Sequence, residues 1–281
     1  MSSSPTVLDN GFAHIPALFC SQQLQELERE YQKIASQAEV ILKEISQGEI
    51  SAGDYYRTRS QSLIAVAEAD DPLKLCRFEY IAGSSDYFRE QVIPRCAAEI
   101  ERQINQPVTL FKDKCNLKSP GGGAFTAHQD IPAYIDFGPT IHVTAALFLD
   151  AANVENGALQ VCENYSSNLG EEVEWLATGL GLHPLLPTYS GGLNNGRIFQ
   201  NYEQQMQWQD VCTQPGDLLL FNSYIPHQSA INNSTRTRRA FFFTFNLQAD
   251  GDHYQEYYRV KRNDYGNLRF HVATPTQHDG R

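Results

Sequence analysis

Between positions 21 and 47 apolar residues recur at alternating three- and four-residue steps: Leu24, Leu27, Tyr31, Ile34, Ala38, Ile41 and Ile45. That spacing lines them up on one face of an α-helix, with Ser21 as N-cap and Gly48 as stop. The stripe reads as a packing surface. A second helical pattern runs over 85–105, with Pro94 in its first half, and 74–81 between them alternates as a strand. From Val108 the period drops to two. Stretches 108–118, 125–130, 140–149, 158–162, 218–221 and 239–247 are short, rich in β-branched and aromatic residues, and read as strands. Pro120-Gly121-Gly122-Gly123, Asn156-Gly157 and Pro215-Gly216-Asp217 supply turns between them.

Many short strands with Gly/Pro turns, preceded by helices, predict a mainly β fold of the sandwich or jelly-roll kind. The expected organisation is one catalytic domain over 1–281: a mostly helical part at 1–106, a β core at 107–250 and an extension at 251–281. The glycine-rich stretch 165–214, which holds Trp175 and Trp208, breaks the strand rhythm. An insertion of that length predicts a lid or binding loop, the alternative being a surface elaboration with its own helix.

Composition narrows the function classes. The 281 residues are 41% hydrophobic, enough to bury a sizeable core. The net charge of −11 opposes binding to nucleic acid, and there is no apolar run of membrane length or basic cluster for a membrane surface. Cys20, Cys76, Cys96, Cys115, Cys162 and Cys212 are scattered with no C-x-x-C pair, so they read as reduced thiols of a cytoplasmic protein. The start of the chain has no charged-then-apolar signal pattern, which leaves the N-x-S/T sequons at Asn164 and Asn233 as chance matches.

The candidate chemistry lies in His128-Gln129-Asp130. On a strand, residues two apart point the same way, so His128 and Asp130 would offer an imidazole and a carboxylate to one point while Gln129 faces away. A third ligand is needed, and His227, after the Pro-Gly-Asp turn and a strand, is the candidate. Two histidines and a carboxylate on one side of a metal leave three positions open, the arrangement suited to Fe(II) chemistry with O2 and a bidentate co-substrate. Arg238, near the last strand, could grip a distal carboxylate such as that of 2-oxoglutarate by two parallel hydrogen bonds. Ser229, two residues after His227, could add a hydroxyl.

These pieces together resemble the phytanoyl-CoA dioxygenase family of Fe(II)/2-oxoglutarate oxygenases. The matching residues are Lys118-Ser119-Pro120 with the Gly-rich turn and His128-Gln129-Asp130, then Asp150 with Glu155-Asn156-Gly157, Pro215-Gly216-Asp217, and His227-Gln228-Ser229 followed by Arg238. The resemblance implies a double-stranded β-helix, cupin-like, with helices packed outside. It implies His128, Asp130 and His227 as iron ligands, Arg238 as anchor of the co-substrate's far carboxylate and Ser229 as its assistant. It also implies a lysine near the co-substrate, carried over to Lys74, and places Gln129 near the site. Lys114 and Asn116, on one face of the strand ending at Lys118, could touch co-substrate or substrate. The chain departs from the family pattern at Glu163-Asn164-Tyr165-Ser166-Ser167, where a Pro-Gly-Ser-His turn is common, and near Ala146, where a tryptophan is common. Both changes are expected to reshape the substrate side.

The implied activity is hydroxylation of an unactivated C–H in a small polar molecule, with 2-oxoglutarate converted to succinate and CO2. A ligating Asp130 favours hydroxylation over halogenation, with desaturation or ring formation as the alternatives. A CoA thioester is disfavoured because no basic cluster is left for its phosphates. The acidic chain hints at a cationic substrate, although net charge is not pocket charge. The resemblance implies first the tailoring of a natural product, such as a guanidinium alkaloid of the 7-deoxycylindrospermopsin type, and second an aminoalkylphosphonate or similar zwitterion. A metal-binding sensor or scaffold without turnover, or a zinc hydrolase, would leave Arg238 and Ser229 unexplained. Plainer readings stand beside the rest: Lys74 as a solvated lysine, His142 as either a pocket wall or a satisfied core histidine, Cys115 as a small core residue, and Arg236 and Arg239 as strand-edge charges.

Overall fold

The computed structural model describes residues 7–48, 50–167, 173–191 and 194–266. The chain start, the distal part of the 251–281 extension and two stretches of the 165–214 insertion lie outside the described residues. Along the chain run α1 (Val7–Asn10), β1 (Phe12–Ile15), α2 (Ser21–Gln47), α3 (Ala52–Thr58), β2 (Ile64–Ala67), β3 (Leu75–Glu79), α4 (Ile81–Ser84) and α5 (Ile93–Ile104). Then come β4 (Val108–Lys118), β5 (Phe125–His128), β6 (His142–Phe148), β7 (Leu159–Cys162), β8 (Glu174–Thr178) and β9 (Gly181–Leu185). The rest are α6 (Gln200–Glu203), β10 (Trp208–Val211), β11 (Leu218–Asn222), β12 (His227–Ser229), β13 (Arg238–Leu247) and α7 (Tyr254–Asn263).

The strands form a seven-stranded sheet in the order β1-β11-β6-β13-β4-β3-β2, a four-stranded sheet in the order β10-β7-β12-β5, and the hairpin β8-β9. All pairs are antiparallel. This is the jelly-roll arrangement of the double-stranded β-helix, with helices on the outside of the larger sheet. β13 shows why the sheet divides its two faces so sharply. Phe241, Phe243 and Phe245 are buried, and the first two pack on Phe88, with Phe241 also against Tyr31 of α2. The alternate residues Arg238, Phe242 and Thr244 face the space between the sheets. A strand puts successive side chains on opposite faces, so one ten-residue strand builds both the core and a site wall.

Several expectations need correction. Cys20, not Ser21, caps α2, and its N–H donates to Gln23 Oε1 at 3.0 Å. The 85–105 helix is broken by a π-helical turn at Phe88–Val92, and Pro94 sits in the first turn of α5, where a missing N–H costs no helical bond. The insertion is shorter than 165–214, because β10 at its end pairs with β7 in the core sheet. Arg239 is not an edge charge: its guanidinium bonds Asp150 and Glu28 and stacks on Tyr31, tying α2 to the sheet. The Pro215-Gly216-Asp217 turn is nailed to the chain start, since Asp217 accepts from Ala17 N and pairs with His14 Nε2. Cys115 faces the helical side, as a core residue does: it pairs in register with Phe241 and Phe78. No helix among the described residues is long and apolar enough to cross a membrane.

Candidate active site

Two short strands of the smaller sheet carry histidines directly opposite each other. β5 ends on His128, β12 begins on His227, and the two are cross-strand partners with rings 4.2 Å apart. Asp130 joins them, but not by strand alternation. The strand stops at His128, and Asp130 takes helical φ and ψ at the start of the 3-10 turn Ile131–Ala133. Its N–H and that of Ile131 both donate to the Ser223 carbonyl, at 3.1 and 3.0 Å. The turn so fixed leaves the carboxylate 4.0 Å from His128 Nε2. One ligand atom from each of the three residues lies within 4.8 Å of the others.

The protein sets the tautomers. His128 Nδ1 is 2.7 Å from the Thr126 carbonyl and His227 Nδ1 is 3.1 Å from the Ile225 carbonyl. A carbonyl can only accept, so Nδ1 carries the proton and Nε2 keeps its lone pair for a metal. Burial, reinforced by His227, lowers the His128 imidazolium to about 3, and burial lowers that of His227 as well. Both rings are therefore neutral at pH 7, as ligation requires. Burial pushes the Asp130 carboxyl up, but His227, Lys114, His128 and Lys112 together outweigh it and hold it near 2. Two neutral imidazoles and a carboxylate fit Fe(II) by donor chemistry. When bound with 2-oxoglutarate, such an ion supplies O2-dependent oxidation of a C–H bond.

Across the cleft, β13 and β4 carry the basic groups. Arg238 is buried, donates one Nη1 bond to the Gly157 carbonyl, and leaves Nε without an acceptor among the described residues. Burial brings its guanidinium down to about 10, so it stays charged. Gly157 has φ +71° at the Asn156-Gly157 turn, and a β-carbon there would collide with the Ala230 carbonyl. Glycine thus lets the turn bring its oxygen to Arg238. A buried guanidinium with an unused donor fits a carboxylate ligand. Lys118, paired in register with Arg238, donates to Ser229 Oγ at 2.8 Å and to the Ala230 carbonyl. Burial first, then Arg238, lowers its amine to about 7.

The other named residues divide. Lys114, Asn116 and Ser229 line the same cleft as His128, Asp130, His227 and Arg238. Lys74 does not; it is exposed in the turn before β3, with its carbonyl accepting from Glu68 N. Gln129 is buried but turned away, its amide bonding the Pro184 and Tyr224 carbonyls and Leu186 N. It fastens the β8-β9 hairpin behind the metal site. His142 is also outside the cleft, packed on Phe111 and Tyr134, and neither ring nitrogen has a partner among the described residues. Tyr165 reaches Asn222 and Gly11 rather than the substrate side.

The cleft also holds residues that sequence reasoning passed over: Arg77 and Glu79 of β3, Lys112 of β4, and Tyr257 and Lys261 of α7. Lys112 was within reach, because it continues the alternation of Lys114 and Asn116. Among the described residues, neither Lys112 nor Lys114 makes a side-chain hydrogen bond or a close ion pair, and Asp130 acts on both only at longer range. Lys112 Nζ lies 4.8 Å from the Tyr134 ring centre, and Lys114 Nζ 5.3 Å from that of Phe242. Burial lowers both amines, that of Lys112 well below the lysine range.

Comparisons with known proteins agree with this geometry. The model of the phytanoyl-CoA dioxygenase (PhyH) family matches residues 7–240. The chain is 30% identical over 258 residues to the 2-aminoethylphosphonate dioxygenase of the uncultured bacterium HF130_AEPn_1, covering 90% of this chain and 84% of that protein. It is 36% identical over 196 residues to the methylphosphonate hydroxylase of Gimesia maris, covering 68% and 66%. Its fold matches the crystal structure of EctD from S. alaskensis with 2-oxoglutarate and 5-hydroxyectoine at a TM-score of 0.60, over 87% of this chain and 75% of that one, with 15% identity. With the family model spanning most of its length and a His–Asp–His cluster facing a buried arginine, the chain belongs to the phytanoyl-CoA dioxygenase family and is an iron- and 2-oxoglutarate-dependent oxygenase.

Proposed function

We propose that this oxygenase hydroxylates a C–H bond of a small organophosphonate. His128, Asp130 and His227 would hold the iron. Arg238, with Ser229 beside it, would take the far carboxylate of 2-oxoglutarate, and Lys118 would add positive charge behind them. The observation that carries the substrate reading is the charge of the remaining cleft wall. Arg77, Lys112, Lys114 and Lys261 bring four basic groups to that wall against the single carboxylate of Glu79. Buried cations are tolerated when an anion completes them. A phosphonate, with up to two negative charges on three oxygens, is such a partner, and Lys112 and Lys114 would orient it from one face of β4. Two relatives named for phosphonate oxidation support the same substrate class.

The guanidinium alkaloid, the first expectation from the resemblance, is disfavoured by the same lining. Overall charge is −11, yet this cleft wall is rich in basic groups, and it is the local field that a substrate meets. Turnover is tested by incubating the enzyme with Fe(II), 2-oxoglutarate, O2 and either methylphosphonate or 2-aminoethylphosphonate, reading succinate and the 31P spectrum together. A new phosphorus resonance matched by succinate is expected. Succinate no higher than in the substrate-free control with both compounds would remove the phosphonate reading and leave the oxygenase in place.

A further inference from the structure

A substrate ammonium needs a carboxylate or an aromatic face to replace its water. In this cleft each of these is already engaged by the protein. Of the two carboxylates lining it, Asp130 belongs to the metal cluster. The other, Glu79, is 1% exposed, and Lys261 Nζ reaches its two oxygens at 2.8 and 2.6 Å. Arg77 Nε lies 2.9 Å from the same carboxylate, an ion pair without hydrogen-bond alignment. Four of the five Phe and Tyr rings lining the cleft have a lysine amine over them, that of Phe125 being Lys118 at 5.6 Å, and the fifth, Phe221, packs on His227. Lys112 Nζ lies over Tyr134 at 4.8 Å and Tyr257 at 5.4 Å, Lys261 Nζ over Tyr257 at 5.7 Å, and Lys114 Nζ over Phe242 at 5.3 Å. Neutral oxygens are what remain, and Thr144 and Thr244 already bond each other at 2.9 Å.

We infer that Lys261 and Arg77, by occupying Glu79, make this site select phosphonates whose carbon tail bears no ammonium. The inference rests on the phosphonate reading and sharpens it. An ammonium tail would meet the amines of Lys112, Lys114 and Lys261, whose protonated forms a bound phosphonate favours, and like charges oppose binding. An alkyl tail meets the ring edges and Phe242 without that opposition. Lys261 comes from the C-terminal helix α7, so a segment remote in sequence sets the charge of the substrate wall.

The test compares propylphosphonate with 2-aminoethylphosphonate, which differ by a methyl in place of the ammonium, with methylphosphonate as reference. Succinate release gives kcat/KM for each. Propylphosphonate is expected to exceed 2-aminoethylphosphonate by about tenfold or more. Equal or greater efficiency with 2-aminoethylphosphonate overturns the inference while keeping the phosphonate reading. No succinate above background with any of the three overturns both, provided anaerobic Fe(II) and 2-oxoglutarate still give their visible charge-transfer band. Lys261→Met should release Glu79 and move the ratio toward 2-aminoethylphosphonate by about fivefold or more. Lys261→Gln, which removes the charge but can still donate to Glu79, should move it the same way and serves if the methionine variant does not fold. A wild-type ratio in a variant that still forms the band means the pair does not set selectivity.

Discussion

The two sheets that enclose the cleft contribute unlike things. The smaller sheet supplies His128 and His227 from strands of four and three residues, each ring held by a backbone carbonyl of its own chain segment. The larger sheet supplies Lys112, Lys114, Asn116 and Arg238 from strands of eleven and ten residues, and Arg238 Nε has no acceptor among the described residues. One wall is finished before any ligand arrives. The other is rich in basic groups, which on the proposed function would receive the anionic ends of co-substrate and substrate. On that reading the difference separates what fixes the reaction from what chooses the molecules that undergo it.

Removing the carboxylate that joins the two histidines of the finished wall should have the largest effect. Asp130→Ala is expected to lower turnover by more than the roughly 10–100-fold that outer-shell losses cost, with iron retention after desalting reduced in parallel. Unchanged iron content in a folded variant would place the metal elsewhere. Arg238→Ala comes next. Truncating one partner of a buried charge-assisted pair costs about 2–5 kcal/mol, so the KM for 2-oxoglutarate should rise at least about 30-fold while iron content stays constant. Arg238→Lys should rescue little, because an ammonium cannot make the two parallel bonds.

How far this division was readable in the sequence follows from the same contrast. The meeting of His128, Asp130 and His227 was legible because the first two are near neighbours and the third follows a recognisable turn. The reason given for Asp130 was wrong, since a 3-10 turn anchored on Ser223 aims it, and no strand pattern could encode that. Lys74 failed because it was placed by spacing from His128. The strand begins one residue later, at Leu75, and Arg77 and Glu79 are the residues of β3 that enter the cleft. Lys261 was beyond reach, because its pairing with Glu79 exists only once α7 docks on β4. The sandwich itself was legible through period-two alternation, whereas β1, β2 and α3 are too short or too weakly patterned to stand out.

Smaller effects should sharpen the contrast. Lys112→Met is expected to raise the KM for a phosphonate about tenfold, as loss of one charge-assisted contact does, without changing the KM for 2-oxoglutarate. It should also stabilise the apo-protein. Burial lowers the Lys112 amine, so between that lowered value and about 10.4, the ordinary lysine value, the unfolded chain binds more protons and wild-type stability rises with pH. The gain in Tm from Lys112→Met should therefore be greatest at low and neutral pH and shrink toward pH 10. A gain that grows with pH would contradict a buried, charge-disfavoured amine. The mildest effect belongs to Lys118. Its amine, near 7 in the free enzyme, loses its charge as pH rises through that value. The KM for 2-oxoglutarate should climb a few-fold between about pH 6.5 and 8.5. A profile just as steep in Lys118→Met would assign the titration to another group.

The most direct measurement of the two-wall division is an anaerobic titration of Fe(II)-loaded protein with 2-oxoglutarate, following the visible charge-transfer band in wild type, Arg238→Ala and Lys112→Met. Wild type and Lys112→Met should saturate at similar 2-oxoglutarate concentrations, and Arg238→Ala only at concentrations at least about 30-fold higher. Saturation of Arg238→Ala at the wild-type concentration, or loss of the band in Lys112→Met, would contradict the separation of co-substrate and substrate charges along the larger sheet.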